Sequence, residues 1–588
     1  MAELSTQELR IEKAGIFMEN FNYRRECAVK DILEREHKEF VGECDINPYR
    51  TYQIVAFITD PSSRERLMDE ITFAADWFEH ENVMGRDPRG EADFEAIRLV
   101  PLYFECYDAL SDDTKKSMDR FFLQRDYSSI YGSENHALMY HVSRYLAAQF
   151  YLGSDKIFEQ FGRKTPEEMY KWDEDYINEF LDYRARKAWG EFDSFGYAAE
   201  IMLILAMLYR YTADVKLKKK TGMIMDIILL DMICDSYNGL YGGAHGRIYP
   251  HAALDTNGSG MFKIYCYYFG SRYGVKDGSG IPAALVLSDY VPSEIVYKVE
   301  KNRKYPYMNK EMKHLHSVSS WNREEINHEH LMHLEHSYIN KRTYVDERYM
   351  LGAVNHQDAY PRDVIEDMGY AHHQQHEWEL TLPGGTNHKI FTHHPGDPGY
   401  HHIHNRFTGD HGCLCSTHYT NKNTAISIYT ITKPDEYSYI NGVVPLDIFE
   451  EKIFDGKYLF LSYPGLYISL YFSNGYRFND FDEYKDVEIL SDGRAHAVVL
   501  RVEYKERYSS LSEFAEAVKK LTVDYDAEAR TVEFDGIKVW YHGNSENGAE
   551  NVYPYGMLYD CPYIKSVWNS GIIEVTDGNE AVTYDFNF

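Results

Sequence analysis

No apolar run in this chain approaches the ~18 residues needed to span a bilayer. Its start, MAELSTQELRIEKAGIFMEN, has no basic stretch leading into an apolar one, so no signal peptide is read there. A cytoplasmic protein is expected, although a chain whose leader had been removed would read the same. Positive charge is in short supply: 62 Lys and Arg stand against 93 Asp and Glu, for a formal net charge of −31. A general nucleic-acid coat and an anionic-membrane binder both need a cationic face, so no nucleic acid and no membrane is expected as partner. An anionic substrate in a locally basic cleft is still allowed. Cysteines are few and scattered, at Cys27, Cys44, Cys106, Cys234, Cys266, Cys413, Cys415 and Cys561. That is no disulfide scaffold, and the one close pair, Cys413 and Cys415, lacks zinc-knuckle spacing. Also missing are a G-x-G-x-x-G between strand and helix, a G-x-x-x-x-G-K-[ST] loop and a G-x-S-x-G elbow. Dinucleotide, P-loop and serine-hydrolase chemistry are disfavoured accordingly.

What is present is aromatic and apolar. Hydrophobic residues make up 44% of the 588 residues and aromatics 15%, with 52 Tyr, which is the composition of a folded protein of more than one domain. Tyrosine suits sugar recognition, because a flat ring stacks while the hydroxyl hydrogen-bonds; tyrosine-rich cores give the same composition.

Residues from about 5 to 290 read as helices. Leu138, Val142, Tyr145, Leu146 and Phe150 keep a helical period, and Tyr197–Thr212 and Thr221–Cys234 are apolar almost all round, as buried helices are. Pro61–His80 and Phe94–Leu110 are further candidates. From about 310 the pattern becomes β. Thr424–Thr432, Leu459–Ser473 and His496–Tyr504 are rich in strand formers, and Asp535-Gly536 and Asp577-Gly578 mark hairpins. Ser510 to Glu513 matches a capping box before a helix. The polar, basic Lys298–Lys313 is read as the link. The expected architecture is α+β: an N-terminal (α/α) toroid of helical hairpins over 1–300 and an antiparallel β-sandwich over 301–588.

Three constellations carry chemistry. Gly132-Ser133-Glu134-Asn135-His136 enters a helix with Ser133 as N-cap, which puts Asn135 and His136 beside unpaired N–H groups where a carboxylate is welcome. Trp189-Gly190-Glu191-Phe192-Asp193-Ser194-Phe195-Gly196-Tyr197 also runs from a loop into a helix. Gly242-Gly243-Ala244-His245-Gly246-Arg247-Ile248-Tyr249 gathers an imidazole, a guanidinium and a phenol among glycines that permit close backbone approach. Bland alternatives stand beside each: simple helix capping, the start of a core stripe, and a tight turn whose Arg pairs with an acid.

Taken in order, an Asn-His at a loop–helix junction, a helix-starting Tyr 61 residues later, helices first and strands after resemble the toroid-plus-β-sandwich polysaccharide lyases, in particular the heparinase II/III-like and oligoalginate lyases. The resemblance implies that Asn135 and His136 neutralise a uronate carboxylate and that Tyr197 is base or acid. The family's His-x-His with a following Asp has its nearest analogue in His402-Ile403-His404 and Asp410, in a different local context.

β-Elimination needs the proton α to the carboxylate removed and the 4-O-linked sugar expelled. Asn135, His136 and Arg247 would stabilise the enolate. A free phenol titrates near ~10, so a cation such as Arg247 or a protonated His245 has to favour the phenolate. The catalytic candidates are therefore Asn135, His136, Tyr197, His245, Arg247 and Tyr249. Glu134, Trp189, Glu191, His376, Trp378 and His393 are candidates for substrate contact.

Eighteen of the 26 histidines fall between His314 and His418. His376 and His393 or His394 flank a turn at Leu382–Gly385, and with His402, His404, Asp410 and His411 they could form a metal site or line a cleft; scattered satisfied histidines are the plain alternative. No cofactor is required for elimination, with zinc or calcium in the β domain left open. The run Lys216–Lys220 reads as a solvated helix face. The expected partner is an acidic oligosaccharide or polysaccharide, with small imported oligosaccharides favoured by the missing signal; monomer and homo-oligomer are both open. A glycoside hydrolase using pairs among Glu134, Glu191, Asp193 and Glu200 is the alternative enzyme, and a non-catalytic carbohydrate binder is the third reading.

Overall fold

The computed structural model describes residues 14–35, 52–79, 92–128, 133–237, 239–271, 273, 282–314, 338–356, 375–395, 405–407, 415–432, 434, 437–541 and 556–588. The protein is α+β, with a helical N-terminal region and an antiparallel-sheet C-terminal region. It forms two compact units, each discontinuous in sequence. One comprises Met1–Asp182, Ala199–Leu229 and Lys263–Glu300; the other Tyr183–Ala198, Leu230–Phe262 and Lys301–Phe588. Among the described residues no helix is long and apolar enough to cross a membrane.

Some of the helices start where polar side chains take up orphan backbone N–H groups. Ser111 Oγ accepts from Thr114 N at the head of Asp112–Asp119. Asp214 Oδ1 accepts from Lys216 N and Leu217 N at the head of Val215–Cys234. Pro166–Lys187 has Pro at its first position, Glu167 and Glu168 in its first turn and Arg184, Arg186 and Lys187 in its last, the order the helix dipole favours. Ala92–Glu105 and Glu134–Tyr151 pack on one another through Tyr103, Phe150 and Tyr151, with the Tyr103 and Tyr151 hydroxyls 2.9 Å apart. Ser133 does stand before the first turn of Glu134–Tyr151, but its hydroxyl donates to Asn135 Oδ1 at 2.6 Å and caps no backbone N–H. In the 216–220 run Lys216 and Lys219 are exposed, while Lys220 is buried against Asp182.

The larger sheet has twelve antiparallel strands. Its spatial order is Arg477–Phe478, Glu488–Asp492, Tyr439–Val443, Lys389–His393, Trp378–Thr381, Met350–His356, Tyr338–Val345, Tyr307–His314, Met557–Asp560, Ile564–Val567, Ile572–Thr576 and Ala581–Asp585. A six-stranded antiparallel sheet runs Glu451–Asp455, Tyr458–Tyr463, Leu466–Phe472, Ala495–Tyr504, Thr424–Thr430 and Ser416–Asn421. Leu351, Trp378, Leu380 and Ile390 of the first sheet share one apolar cluster with Tyr429, Leu461, Ile468 and Leu500 of the second. The stretch 459–473 is a hairpin, turning at Gly465 with φ +77°. Asp535 and Gly536 have φ of +49° and +74°, as a tight hairpin turn between Thr531–Phe534 and Ile537–Trp540 requires. Ser510 caps Leu511–Lys519 by accepting from Glu513 N, as its sequence suggests.

The segment 298–313 is not a solvated link throughout. The helix Glu294–Asn302 and the strand Tyr307–His314 occupy most of it. Within the strand Asn309, Glu311 and Lys313 are all buried, and they share one face because strand side chains alternate. A polar face turned into the protein needs partners, and those partners belong to the site below.

Candidate functional site

The β-containing unit stitches two loops together. The helix Val215–Cys234 ends in a short hairpin, Ser236–Tyr237 with Leu240–Tyr241, that delivers residues 242–249. Two glycines are dictated by space: a Cβ on Gly242 would stand 2.1 Å from Thr381 Oγ1, and one on Gly246 would stand 2.9 Å from Phe192 N. With that clearance Gly246 N donates to Phe192 O at 2.6 Å, and His245 and His376 exchange a pair of backbone hydrogen bonds, each 2.8 Å. Ser194 Oγ accepts from Tyr197 N (3.1 Å) at the head of Tyr197–Tyr211 and donates to Arg247 O (2.7 Å).

These bonds gather four of the expected side chains. Tyr197 Oη and Tyr249 Oη lie 2.6 Å apart, so they share a hydrogen bond. The Arg247 guanidinium sits 3.9 Å from the centroid of the Tyr197 ring and donates to Glu191 Oε1 at 2.7 Å. Arg247 reaches this place with φ +35°, a left-handed conformation that costs a non-glycine residue energy and that the surrounding bonds hold. Burial alone would weaken its hold on the proton, but Tyr197, Glu191 and Tyr249 outweigh it and push Arg247 above its ordinary value, so it is a fixed cation. Tyr197 is 8% exposed and Tyr249 half-buried.

His245 does not act as a second cation there. Its ring is fully buried between Phe195 and Tyr241, and its Nδ1 donates to Asp193 O at 2.8 Å. Burial, Lys341 and His376 hold it well below an ordinary imidazole, so it is neutral. Trp189 is buried beside Arg184. Trp378, His376 and His393 were expected to meet substrate and are instead buried. Trp378 lies in the apolar cluster with its indole N–H on Thr392 Oγ1 (3.1 Å). His376 Nε2 meets Glu379 Oε2 at 2.9 Å, and Lys389 lies 3.1 Å from the same oxygen. Burial would lift Glu379, but Lys389 and His376 hold it down to about 2. His394 Nε2 meets Tyr437 O at 2.9 Å; His402, His404, Asp410 and His411 lie outside the described residues.

His393 Nε2 donates to Arg406 O at 2.9 Å. Burial pushes its imidazole down to about 3, opposed by that carbonyl and assisted by His376. A folded value below the ~6.5 of a free imidazole means stability that is present above ~6.5 and lost as pH falls toward the folded value. The denaturation midpoint should therefore drop between pH ~7 and ~4, and His393→Gln, whose amide donates in the same place without titrating, should flatten part of that drop.

Asn135, His136 and Glu134 belong to the helical unit. There His136 Nδ1 meets Asp93 Oδ2 at 2.6 Å, and Asn135 Nδ2 donates to Glu200 Oε2 at 2.8 Å. Burial lifts Asp93 above its ordinary value although His136 pulls it down. Glu134 is buried.

A second centre in the β-containing unit was not foreseen. Lys313 bridges Asp193 Oδ1 (2.5 Å) and Asp231 Oδ2 (2.8 Å), and Lys341 bridges Asp193 Oδ2 and Asp235 Oδ2. Glu311 lies 3.4 Å from both ammoniums. Burial pushes Asp235 up to about 7 and Glu311 up to about 8, while at Asp193 the two lysines overcome burial and hold the carboxyl low. The legible signal is a pair of acids four apart, Asp231 in the apolar last turns of the helix Val215–Cys234 and Asp235 just beyond it.

Neither the models of known protein families nor the curated proteins include a match to this chain.

Proposed function

We propose that the protein is a lyase that cleaves uronate-containing oligosaccharides by β-elimination. The observation that carries this reading is the Tyr197–Tyr249 hydroxyl pair at 2.6 Å, with the Arg247 guanidinium over the Tyr197 ring. Elimination needs a base that reaches a carbon-bound proton, and a positive charge over a phenol ring favours its anionic form. Tyr197 takes the C5 proton, and the electron pair moves toward the carboxylate as an enolate and then expels the 4-O-linked sugar. Tyr249, which shares a hydrogen bond with Tyr197, supplies a route by which the proton passes to the departing oxygen. Arg247, oriented by Glu191, stabilises the enolate charge. In the resemblance Asn135 and His136 neutralise the carboxylate. Within the helical unit Glu200 holds the amide and Asp93 the imidazole, as such roles ask. The helical region as an (α/α) toroid and the two main sheets as a sandwich are part of the same proposal.

Hydrolysis by paired acids has less support. Both oxygens of Asp193 are taken by lysines, and Glu191 is engaged with Arg247. Mass spectrometry of products from a panel of uronate glycans (alginate, glucuronan, heparan, chondroitin, hyaluronan, pectic and ulvan fragments) separates the two. Elimination gives fragments whose masses sum to that of the substrate. Fragments that together carry one added water would overturn elimination in favour of hydrolysis.

A further inference from the structure

We propose that the buried oxygens of Asp231, Asp235, Glu311 and Asn309 form a binding site for one hard divalent cation of the calcium or magnesium type. The first ground is charge. Among the described residues the cations paired with Asp193, Asp231, Asp235 and Glu311 are Lys313 and Lys341, so with all four carboxyls ionised the group retains two negative charges, and none of the six side chains is more than 7% exposed. Uncompensated charge is costly in such a place.

The second ground is a set of buried oxygens whose hydrogen bonds are not satisfied. The lysines saturate Asp193 and take one oxygen each of Asp231 and Asp235, whose Oδ1 accepts the Asn309 amide at 3.0 Å. Asp231 Oδ1 and Asn309 Oδ1 are buried and accept no hydrogen bond, and each Glu311 oxygen has a lysine ammonium 3.4 Å away in a contact too poorly directed to be a hydrogen bond. Asn309 is independent of the acid cluster: it is neutral, 1% exposed, and its amide touches Asp235, yet its carbonyl oxygen is left over. Buried acceptors of this kind need a partner. The carboxylate oxygens of the four acids come within 4.8 Å of one another, the span of ligands on opposite sides of one ion. Every donor is an oxygen, and neither Cys nor His is among them, which selects a hard cation over zinc. A divalent charge cancels the residual two.

The consequence reaches the candidate site. Asp193 belongs to the segment that carries Glu191 and Tyr197, and its carbonyl holds His245. A cation would brace that segment, whatever reaction the protein catalyses.

The test uses the full chain, stripped with chelator and dialysed against Ca2+, Mg2+ or Tb3+. One ion per chain is expected, with a melting temperature that rises with cation concentration, since a ligand that binds only the folded state stabilises it. Glu311→Gln should weaken binding by at least about tenfold, because it removes one charge from the ligand set. Tyr559 donates to Asp231 Oδ2 at 3.4 Å. Tyr559→Phe, which keeps every proposed ligand, should keep one Tb3+ with weakened tyrosine-sensitised emission, Tyr241 being a second phenol near the same acids. Melting indifferent to both chelator and cation, with no ion bound, would overturn the proposal and leave protons on two of the carboxylates as the neutralising charge. Stoichiometric binding unchanged in Glu311→Gln, with emission unchanged in Tyr559→Phe, would put the ion elsewhere and overturn it equally.

Discussion

Tyr197→Phe should lower turnover on the responsive uronate substrate by roughly 10²–10⁴-fold, the usual contribution of a positioned acid–base group, while leaving the protein folded. The substitution removes one oxygen. It keeps the ring under Arg247 and the backbone N–H on Ser194. The lost hydroxyl bond to Tyr249 is worth about 1 kcal/mol, so thermal unfolding should move only slightly. KM should change little, because the phenyl ring still fills its place. Tyr249→Phe should cost less and shift the pH dependence of kcat, since Tyr249 meets the base and is more open to solvent. A Tyr197→Phe enzyme with near-normal kcat would place the base on another residue.

Lys341→Met should be strongly destabilising. Lys341 is 0% exposed and bridges Asp193 and Asp235, with Glu311 3.4 Å away. Methionine keeps much of the volume, so the loss is electrostatic. Removing one partner of a buried ion pair leaves an uncompensated charge and costs about 3–5 kcal/mol. That is a large share of the ~5–15 kcal/mol that separates folded from unfolded states. Urea unfolding with the midpoint and slope both fitted would measure it. A midpoint within error of the parent would mean that the lysine is not needed to balance these acids.

Much of the architecture could be read from local pattern, because local chemistry determines it. Asp535-Gly536 adopts left-handed angles that few other residues accept, and the hairpin sits where those residues are. Tyr197–Thr212 is apolar all round, and the helix Tyr197–Tyr211 is found there. The glycine-flanked loop carries Arg247 and Tyr249 to Tyr197, while its His245 packs between Phe195 and Tyr241. Other features depended on partners far along the chain. Lys313 looks like linker charge until Asp193 and Asp231 are seen beside it, 120 and 82 residues away. Trp378 sits between polar residues and reads as a candidate for substrate contact, yet the strand Trp378–Thr381 is buried along its whole length and the indole packs in the apolar cluster. His245 carries the residue type of a catalytic base, and only its burial between Phe195 and Tyr241 reveals a neutral ring that holds the Asp193 carbonyl. Burial and ion pairing over long sequence distances leave no periodic trace, so they were the features not legible in advance.

The most direct measurement is absorbance in the unsaturated-uronate band, followed continuously while the purified protein and its Tyr197→Phe variant meet the glycan panel. Elimination at the Tyr197–Tyr249–Arg247 cluster predicts a rise on at least one substrate with the parent protein and its loss in the variant. New reducing ends with no rise in absorbance, or an equal rise in both proteins, would contradict it.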